Sequence, residues 1–432
     1  MSRAHRNDEP ADDPNAARVS LPAGAPLAAR AAEVCRRAVN AALAAIERVL
    51  LRRGRGEPRR VGVWRVGMIG DTLVALPALR AIRRAHPDAE IVLFTSPGPE
   101  GAPGALELLE HSPLVDRIVR WTSDDLERRG ARGTLAALRR ERTDRLYLLP
   151  QDRTTPRAEF RLLLALLLAG FRDVRGARVT TAHFLPERLA RAHDRAARWP
   201  AISTRLLENA ERCGVPPLPR DRDGASDLAP TEAERARAAD LVRHAAPDGE
   251  PLLALAPGAK LAHKRWPAAR FGDVARRWID AGGRVVVLGG PGDAELARAI
   301  ARVAQRDVTD LCGATSLLGS AALLERVDAL VSNDTGTMHL GAAVGAPLVA
   351  VFSGWDRRGA WDPVVHDPRR PPIVLRRPAP CSPCVAPSCT NEHGGVPYCL
   401  DLAADAVLAA ALSVAKRVPA DLRDDAELRR AA

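Results

Sequence analysis

The sequence predicts an α/β protein of two Rossmann-like, doubly wound domains facing a cleft, and three observations carry that reading. At 432 residues the chain is too long for one ordinary core and suits two domains with extensions. Its first half places a strand, a tight turn, a helix and a strand in succession, a βαβ unit that implies a parallel sheet. Its second half alternates short apolar runs with amphipathic helices, with glycine or proline at the junctions.

Composition supports a globular chain. Hydrophobic residues make up 46% and charged residues 27%, while aromatics at 3% leave the cores to Leu, Val and Ala. The formal charge of +11 is concentrated in residues 30–60, which hold nine Arg against Glu33, Glu47 and Glu57. That segment has no aromatic residue on which a base could stack, so nucleic acid is not expected as a partner and an anionic membrane surface fits better. The apolar run Leu162 to Phe171 has only about half the roughly twenty residues needed to span a bilayer. The uncharged stretch Thr335 to Trp355 is long enough, but Gly345-Ala346-Pro347 divides it into a short helix and a strand. The first twenty residues have no apolar core after their charges and do not form a secretory signal. A cytoplasmic location, peripheral at the inner face of the cell membrane, is the expectation.

Taken in order, residues 1–25 are polar and rich in Pro, Asp and Ala, which reads as a disordered tail. Residues 26–60 form a basic amphipathic helix: Leu27, Ala31, Val34, Ala38, Ala42, Ile46 and Val49 recur at helical spacing, with Arg30, Arg36, Arg37 and Arg48 off that stripe. Packing on the protein's own surface and docking on a membrane both remain open for it. Residues 61–215 are the first domain, with the strand VGVWRV from Val61, the turn Gly67-Met68-Ile69-Gly70, a helix from Thr72 to Ala85 stopped by Pro87, a strand Ile91–Thr95 and a further strand Arg145–Leu149. Residues 216–230, dense in Arg, Asp and Pro, read as the linker. The single D-x-D spacing, Asp221-Arg222-Asp223, falls there, so a metal-chelating sugar-nucleotide motif is unsupported.

The second domain, residues 231–400, is more regular. Strand Leu252–Ala256 leads to a helix with Pro267 at its first position and Gly282-Gly283 at its end. Strand Arg284–Leu288, a helix from Asp293, a turn near Asp310, helix Ser316–Arg326, strand Ala329–Ser332, helix Gly336–Val344 and strand Leu348–Phe352 follow. Residues 401–432 are a C-terminal helix and tail.

Ligands of doubly wound sheets bind beyond the carboxyl ends of the strands, where four turns of this chain carry chemistry. In Pro257-Gly258-Ala259-Lys260-Leu261-Ala262-His263-Lys264, Gly258 admits close backbone approach and two lysines offer point charges for phosphate. Lysine occurs only at 260, 264 and 416 in a chain whose other basic residues are Arg, so its retention twice in one loop points to phosphate, with Lys264 the stronger candidate. Asn333-Asp334-Thr335-Gly336 begins a helix ending beyond His339; Asp334 either orients Lys264 or a ribose hydroxyl, or caps the helix. Gly289-Gly290-Pro291-Gly292 is glycine-rich but lacks the dinucleotide spacing. In the first domain, Gly70-Asp71-Thr72 sets a carboxylate at a helix start, either as a cap or as a general base facing a nucleotide site across the cleft. Cys381, Cys384, Cys389 and Cys399 cluster at irregular spacing as a structural zinc site or as reduced thiols; no catalytic metal is expected.

Three blocks together resemble glycosyltransferase family 9, the ADP-heptose:lipopolysaccharide heptosyltransferases and their relatives. They are VWRVGMIGDTLVALPALRAIRRAHP, then LALAPGAKLAHKRWPAARFGDVARRWIDAGGRVVVLGGPGD, then DLCGATSLLGSAALLERVDALVSNDTGTMHLGAAVGAPLVAVF, spread over roughly residues 61–400. The resemblance implies a GT-B fold, with the acceptor held mainly by the first domain and a nucleotide sugar, ADP-linked, by the second. It also implies inversion at the anomeric carbon without a metal or other cofactor. Asp71 matches the family's base, flanked on the acceptor side by Gly70 and Thr72. Lys264, with Lys260, matches the lysine on the donor phosphates, and Asp334, Thr335, Gly336 and His339 match the donor-site motif, beside Gly258, Gly289 and Gly290. The acceptor it implies is a glycan or a lipopolysaccharide-like glycolipid. The segment Ser353 to Pro363 and the first sixty residues depart from the family pattern. Two rival readings stay open: a sugar-nucleotide epimerase, which needs no acceptor, and a non-catalytic nucleotide-binding protein on the same scaffold.

Overall fold

The computed structural model describes residues 19–51, 56–96, 104–121, 125–218, 227–367 and 369–422. Most of the expected N-terminal tail, the middle of the expected linker with Asp221 and Asp223, and the end of the C-terminal tail lie outside the described residues.

Helix α1 (Leu27–Ile46) runs into a short π turn and precedes the first sheet. That sheet holds β1 (Arg60–Trp64), β2 (Glu90–Thr95), β3 (Arg117–Arg120), β4 (Arg145–Leu148) and β5 (Val174–Arg175), all parallel in the order β3-β2-β1-β4-β5. Its connections include α2 (Ile69–Leu73), α3 (Leu76–Ala85), α4 (Ala105–Leu109), α5 (Asp125–Arg140) and α6 (Pro156–Leu168), and α7 (Glu187–Ala196) and α8 (Ile202–Arg212) follow β5.

The second sheet is also parallel, in the order β11-β10-β9-β6-β7-β8. After α9 (Glu232–Ala245) it comprises β6 (Leu252–Ala256), β7 (Arg284–Val287), β8 (Thr309–Asp310), β9 (Ala329–Asn333), β10 (Leu348–Phe352) and β11 (Ile373–Arg376). Helices α10 (Ala268–Asp280), α11 (Ala294–Ala304), α12 (Leu317–Leu324) and α13 (Gly336–Ala343) connect these strands. A hairpin of β12 (Glu392–His393) and β13 (Val396–Pro397) leads to α14 (Ala404–Val414), which packs back on α10, β9 and β10. Strands β6, β9 and β10 are buried at every position, because helices cover both faces of the sheet and leave no polar side to alternate with.

The expected helix Thr72–Ala85 is two helices. Pro77 lies in the first turn of α3, where it is tolerated, but its ring would clash with the carbonyl of Leu73 in a continuous helix, so α2 ends there. Pro267 stands one residue before α10 rather than inside it, and the expected turn near Asp310 is the short edge strand β8.

The N-terminal helix exists, but its buried face is not the predicted stripe. Leu27, Val34 and Val49 are 83%, 67% and 66% exposed, and Ala31, Ala38 and Ala42 also face outward. Ala29, Ala32, Glu33, Arg36 and Leu43 are buried instead, with α1 lying along α7. The Glu33 carboxylate takes two bonds of 2.8 Å from Arg36 and lies 2.9 Å from His193 Nε2. Asn40 bonds the backbone N–H and carbonyl of Val179 at 2.9 and 3.1 Å. Alanines allow the two helices to approach closely, and the buried charges are tolerated because they are paired. No described helix is long and apolar enough to cross a membrane.

Candidate functional site

The first wall of the site forms where β1 ends. Arg65, almost fully buried, donates from Nε to the Asp71 carbonyl at 2.9 Å, from Nη2 to Asp71 Oδ1 at 2.9 Å and from Nη1 to the Pro150 carbonyl at 2.7 Å. Burial lowers the Arg65 pKa, opposed by the charges of Asp71 and Asp152. Asp71 is the third residue of α2, and its Oδ2 accepts from the Met68 N–H at 3.0 Å, closing the helix start. Each carboxylate oxygen therefore has one protein donor and a lone pair left for an incoming hydroxyl. A side chain at Gly67 would come within 2.4 Å of Asp71 Cβ, so glycine is required beside it. Thr72 is turned inward, with its hydroxyl 3.3 Å from the Met68 carbonyl.

The second wall forms where β6 and β9 end side by side. Asn333, fully buried, accepts from the Trp266 N–H at 3.0 Å and donates to the Pro257 carbonyl at 2.7 Å, holding the lysine loop at both ends. Lys264 Nζ lies 2.5 Å from Asp334 Oδ2 and 5.2 Å from the centre of the Trp355 ring. Asp334 is thus committed to Lys264. Thr335 occupies the cap position of α13 without a side-chain cap bond, which leaves the first N–H groups of that helix for other acceptors. Lys260 stands exposed at the tip of the loop.

The glycines lie against a side chain of their own domain. A Cβ at Gly258 or Gly289 would fall 2.7 or 2.6 Å from the Asp293 carboxylate, which accepts from the Gly290 N–H at 2.9 Å. Both glycines leave room for Asp293, which closes the turn at Gly290.

The two walls meet through α2 and α13. A Cβ at Gly336 would contact Ile69 Cγ2 at 3.5 Å, and one at Gly70 would contact the His339 ring at 3.4 Å. His339 is buried, its ring edge-on to Trp361 at 5.9 Å, with Nδ1 unpartnered among the described residues. Burial drives its pKa down and Lys264 adds to this, against Asp334, Asp71 and Asp362, so its imidazole is neutral at pH 7. The structure thus gathers Asp71, Lys264, Asp334 and His339 at one junction of the domains: a carboxylate with free acceptor capacity opposite a cation and a helix start.

A family model described as glycosyltransferase family 9 (heptosyltransferase) matches residues 189–393. Lipopolysaccharide heptosyltransferase 2 of Escherichia coli (strain K12) is 26% identical over 295 residues, 66% of this chain and 80% of that protein. Over these spans the chain is similar to glycosyltransferase family 9. The family 9 glycosyltransferase of Veillonella parvula shares the fold with a TM-score of 0.62 at 21% identity, over 82% of this chain and 97% of that one. The Escherichia coli ADP-heptose LPS heptosyltransferase II does so with a TM-score of 0.56 at 22% identity, over 82% and 98%. The fold is GT-B, as the resemblance implies.

The sequence did not reveal the contact between the domains or the position of the cysteine segment. The segment after β10 joins the domains: Arg357, buried, pairs with Asp152 of the first domain and at 3.2 Å with Asp356, and stacks 4.2 Å from the Trp199 ring centre. Arg153 pairs with Asp356 at 3.0 Å. The available signal was an Asp-Arg pair after β4, Asp152-Arg153, and another after β10, Asp356-Arg357. The cysteine segment lies behind the wall of Lys264 and Asp334, where Cys381, Cys384, Cys389 and Cys399 line a cavity of about 320 Å3, measured to its open mouth, together with His263 and Trp355. The Cys384 N–H donates to the Gly354 carbonyl at 3.2 Å and Trp355 Nε1 to the Ala386 carbonyl at 2.9 Å, so the segment braces the ring that faces Lys264. All four are free thiols, and burial pushes that of Cys399 up. Among the described residues no three His, Cys, Asp or Glu side chains are placed to hold a metal ion.

Proposed function

We propose that this glycosyltransferase moves a heptose-type sugar from an ADP-linked donor to a lipopolysaccharide-core acceptor, with inversion and without a metal. The observation that carries the reading is the Lys264–Asp334 pair of 2.5 Å beside the uncapped start of α13, opposite Asp71. Asp71 takes the proton of the acceptor hydroxyl, which attacks the anomeric carbon as the bond to the donor phosphate breaks. Lys264 and the α13 N–H groups stabilise the departing diphosphate, and a cation fixed in place beforehand is worth more than one recruited from water. Lys260, exposed nearby, adds charge at the loop tip. The sugar and acceptor rest on the names of the relatives, lipopolysaccharide heptosyltransferases.

The outward stripe of α1 and of the π turn after it adds a partner. Leu27, Val34 and Val49 stand exposed among Arg30, Arg37 and Arg48, and α6 shows Phe160, Leu164 and Leu168 beside Arg157 and Arg161. Apolar side chains set among arginines fit peripheral contact with an anionic membrane, where a glycolipid acceptor resides.

Asp71→Asn tests the mechanism. Asparagine keeps an acceptor for Arg65 but cannot take a proton, so turnover should fall about a hundredfold or more while ADP affinity persists. Turnover near wild type would remove Asp71 as the base.

A further inference from the structure

The segment after β10 places one indole where both domains reach it. Lys264 Nζ of the second domain and the Arg153 guanidinium carbon of the first each lie 5.2 Å from the centre of the Trp355 ring. The ring is gripped by its own domain. Trp355 Nε1 donates to the Ala386 carbonyl at 2.9 Å and its N–H to Ser353 Oγ at 3.3 Å, while its carbonyl accepts from the Val385 N–H at 3.0 Å.

Arg153 reaches the ring from a strained backbone. Its φ of 63° is in the left-handed region that residues other than glycine rarely adopt, and its N–H donates to Thr180 Oγ1 at 2.9 Å. From there its Nη2 donates to Asp356, the residue after Trp355, at 3.0 Å. The first domain thus holds the loop that carries the ring.

Lys264 has use for such a support. Asp334 Oδ2, 2.5 Å from Nζ, takes one of the three ammonium protons, which leaves the flexible stem free to turn about a single contact. A second carboxylate or an amide beside it would take another proton and compete with a phosphate. The negative face of an indole attracts the cation without claiming a donor in that way, so the remaining N–H groups stay available to an incoming anion.

We propose that Trp355 is a positioning residue for sugar transfer: its ring aims Lys264 at the diphosphate of the donor, and Arg153 fixes that ring from the first domain. The inference rests on the reading of Lys264 as the phosphate-binding cation. A lysine ordered beforehand loses less freedom when the diphosphate binds.

Lysine occurs only at 260, 264 and 416, so the full chain labelled isotopically in lysine gives few side-chain NMR signals, and Lys264→Met identifies the one that matters. The ring current of Trp355 should set the Lys264 Cε protons upfield of those of the exposed Lys260. Trp355→Leu should remove that shift and raise the Kd for ADP about threefold to tenfold, the cost of ordering one long side chain on binding. Trp355→Phe should keep most of both. Either variant loses the bond to Ala386, so that bond cannot account for a difference between them. Arg153→Gln should move the Lys264 signal toward its position in Trp355→Leu. With Lys264→Met already present, Trp355→Leu should change ADP affinity by less than about twofold, because the side chain it acts through is gone. Equal weakening with and without Lys264 would make Trp355 a structural residue and overturn the proposal. An unshifted Lys264 signal in wild type, or one that Arg153→Gln leaves in place, overturns it too, and both readings stand even should Trp355→Leu fold poorly. If Lys264→Met weakens ADP binding and Trp355→Leu does not, the proposal alone falls; if Lys264→Met binds ADP as wild type does, the phosphate reading falls and takes the proposal with it.

Discussion

Lys264→Met removes the cation from a pair whose side chains are only 15% and 9% exposed, and two separate losses follow. Deleting one partner of a buried pair leaves an uncompensated charge and costs about 3–5 kcal/mol when fully buried; the residual exposure here reduces that to about 2–3 kcal/mol. Binding suffers independently. A charge-assisted contact to phosphate contributes about 1.5–3 kcal/mol, so the Kd for ADP should rise about tenfold to a hundredfold. The upper end is expected, because the stranded Asp334 carboxylate repels the diphosphate. Asp334→Asn has the opposite sign for the ligand: it frees Lys264, and ADP should bind at least as tightly as to wild type. The double variant Lys264→Met/Asp334→Asn should recover part of the stability lost in Lys264→Met, since no orphan charge remains. Titration calorimetry with ADP at 0.15 M salt (roughly physiological ionic strength) and urea denaturation measure the two losses. Wild-type ADP affinity in a destabilised Lys264→Met would make the lysine a structural residue and refute the phosphate grip.

Two further outcomes are expected. Burial, with the Glu47 charge adding, pushes the Glu159 carboxyl up to about 7 against a backbone bond from Arg178. A raised folded pKa means stability fully present below the ordinary carboxyl range and lost as pH rises toward 7, on the order of 3 kcal/mol at most. Glu159→Gln should flatten that loss in denaturation curves between pH 4.5 and 8 (from about the ordinary Glu pKa to just above neutrality), and an unchanged slope would count against the buried neutral carboxyl. Binding of the whole chain to phosphatidylglycerol vesicles should weaken as salt rises, and Val34→Glu with Val49→Glu should abolish it without shifting the melting temperature. Equal partitioning of wild type and the double variant would remove the membrane from the partners.

What the sequence made legible was local. Strands Leu252–Ala256 and Leu348–Phe352 have the bounds expected, because continuous apolar runs between turn residues leave little freedom in a parallel sheet. The surviving lysines and the Asn333-Asp334-Thr335-Gly336 start read as two walls of one donor site, and the structure joins the two turns through Lys264 and Asp334. The break between α2 and α3 was signalled by Pro77, overshadowed by Pro87 at the helix end. The face of α1 was misread for a different reason. Counting Leu and Val finds the outward stripe, while the buried face depends on Glu33 meeting His193, 160 residues on in the chain, which no periodicity encodes. Asn333 was read only as part of a motif; its bonds to Pro257 and Trp266 belong to two loops brought together by the sheet.

The same non-local logic sets the cleft. Asp71 stands on one sheet and Lys264 on the other, so their separation depends on how the domains are held, not on either loop. Two kinds of contact hold them. Ile69 lies against Gly336 and His339 against Gly70, near enough that a Cβ at either glycine would be in ordinary van der Waals contact across the junction. The Asp152–Arg357 and Arg153–Asp356 pairs also cross between the domains, with Arg357 fully covered and stacked on Trp199. The Asp152, Asp356 and Asp194 carboxylates hold the Arg357 pKa up against its burial. Buried pairs of this kind add little net stability, because desolvation offsets most of the attraction, but breaking one strands a charge. Their contribution is therefore to make one relative placement of the domains much better than its neighbours. That placement sets the carboxylate of Asp71 against the wall of Lys264 and Asp334, and the segment Ser353 to Pro363 supplies the ion pairs that help to fix it.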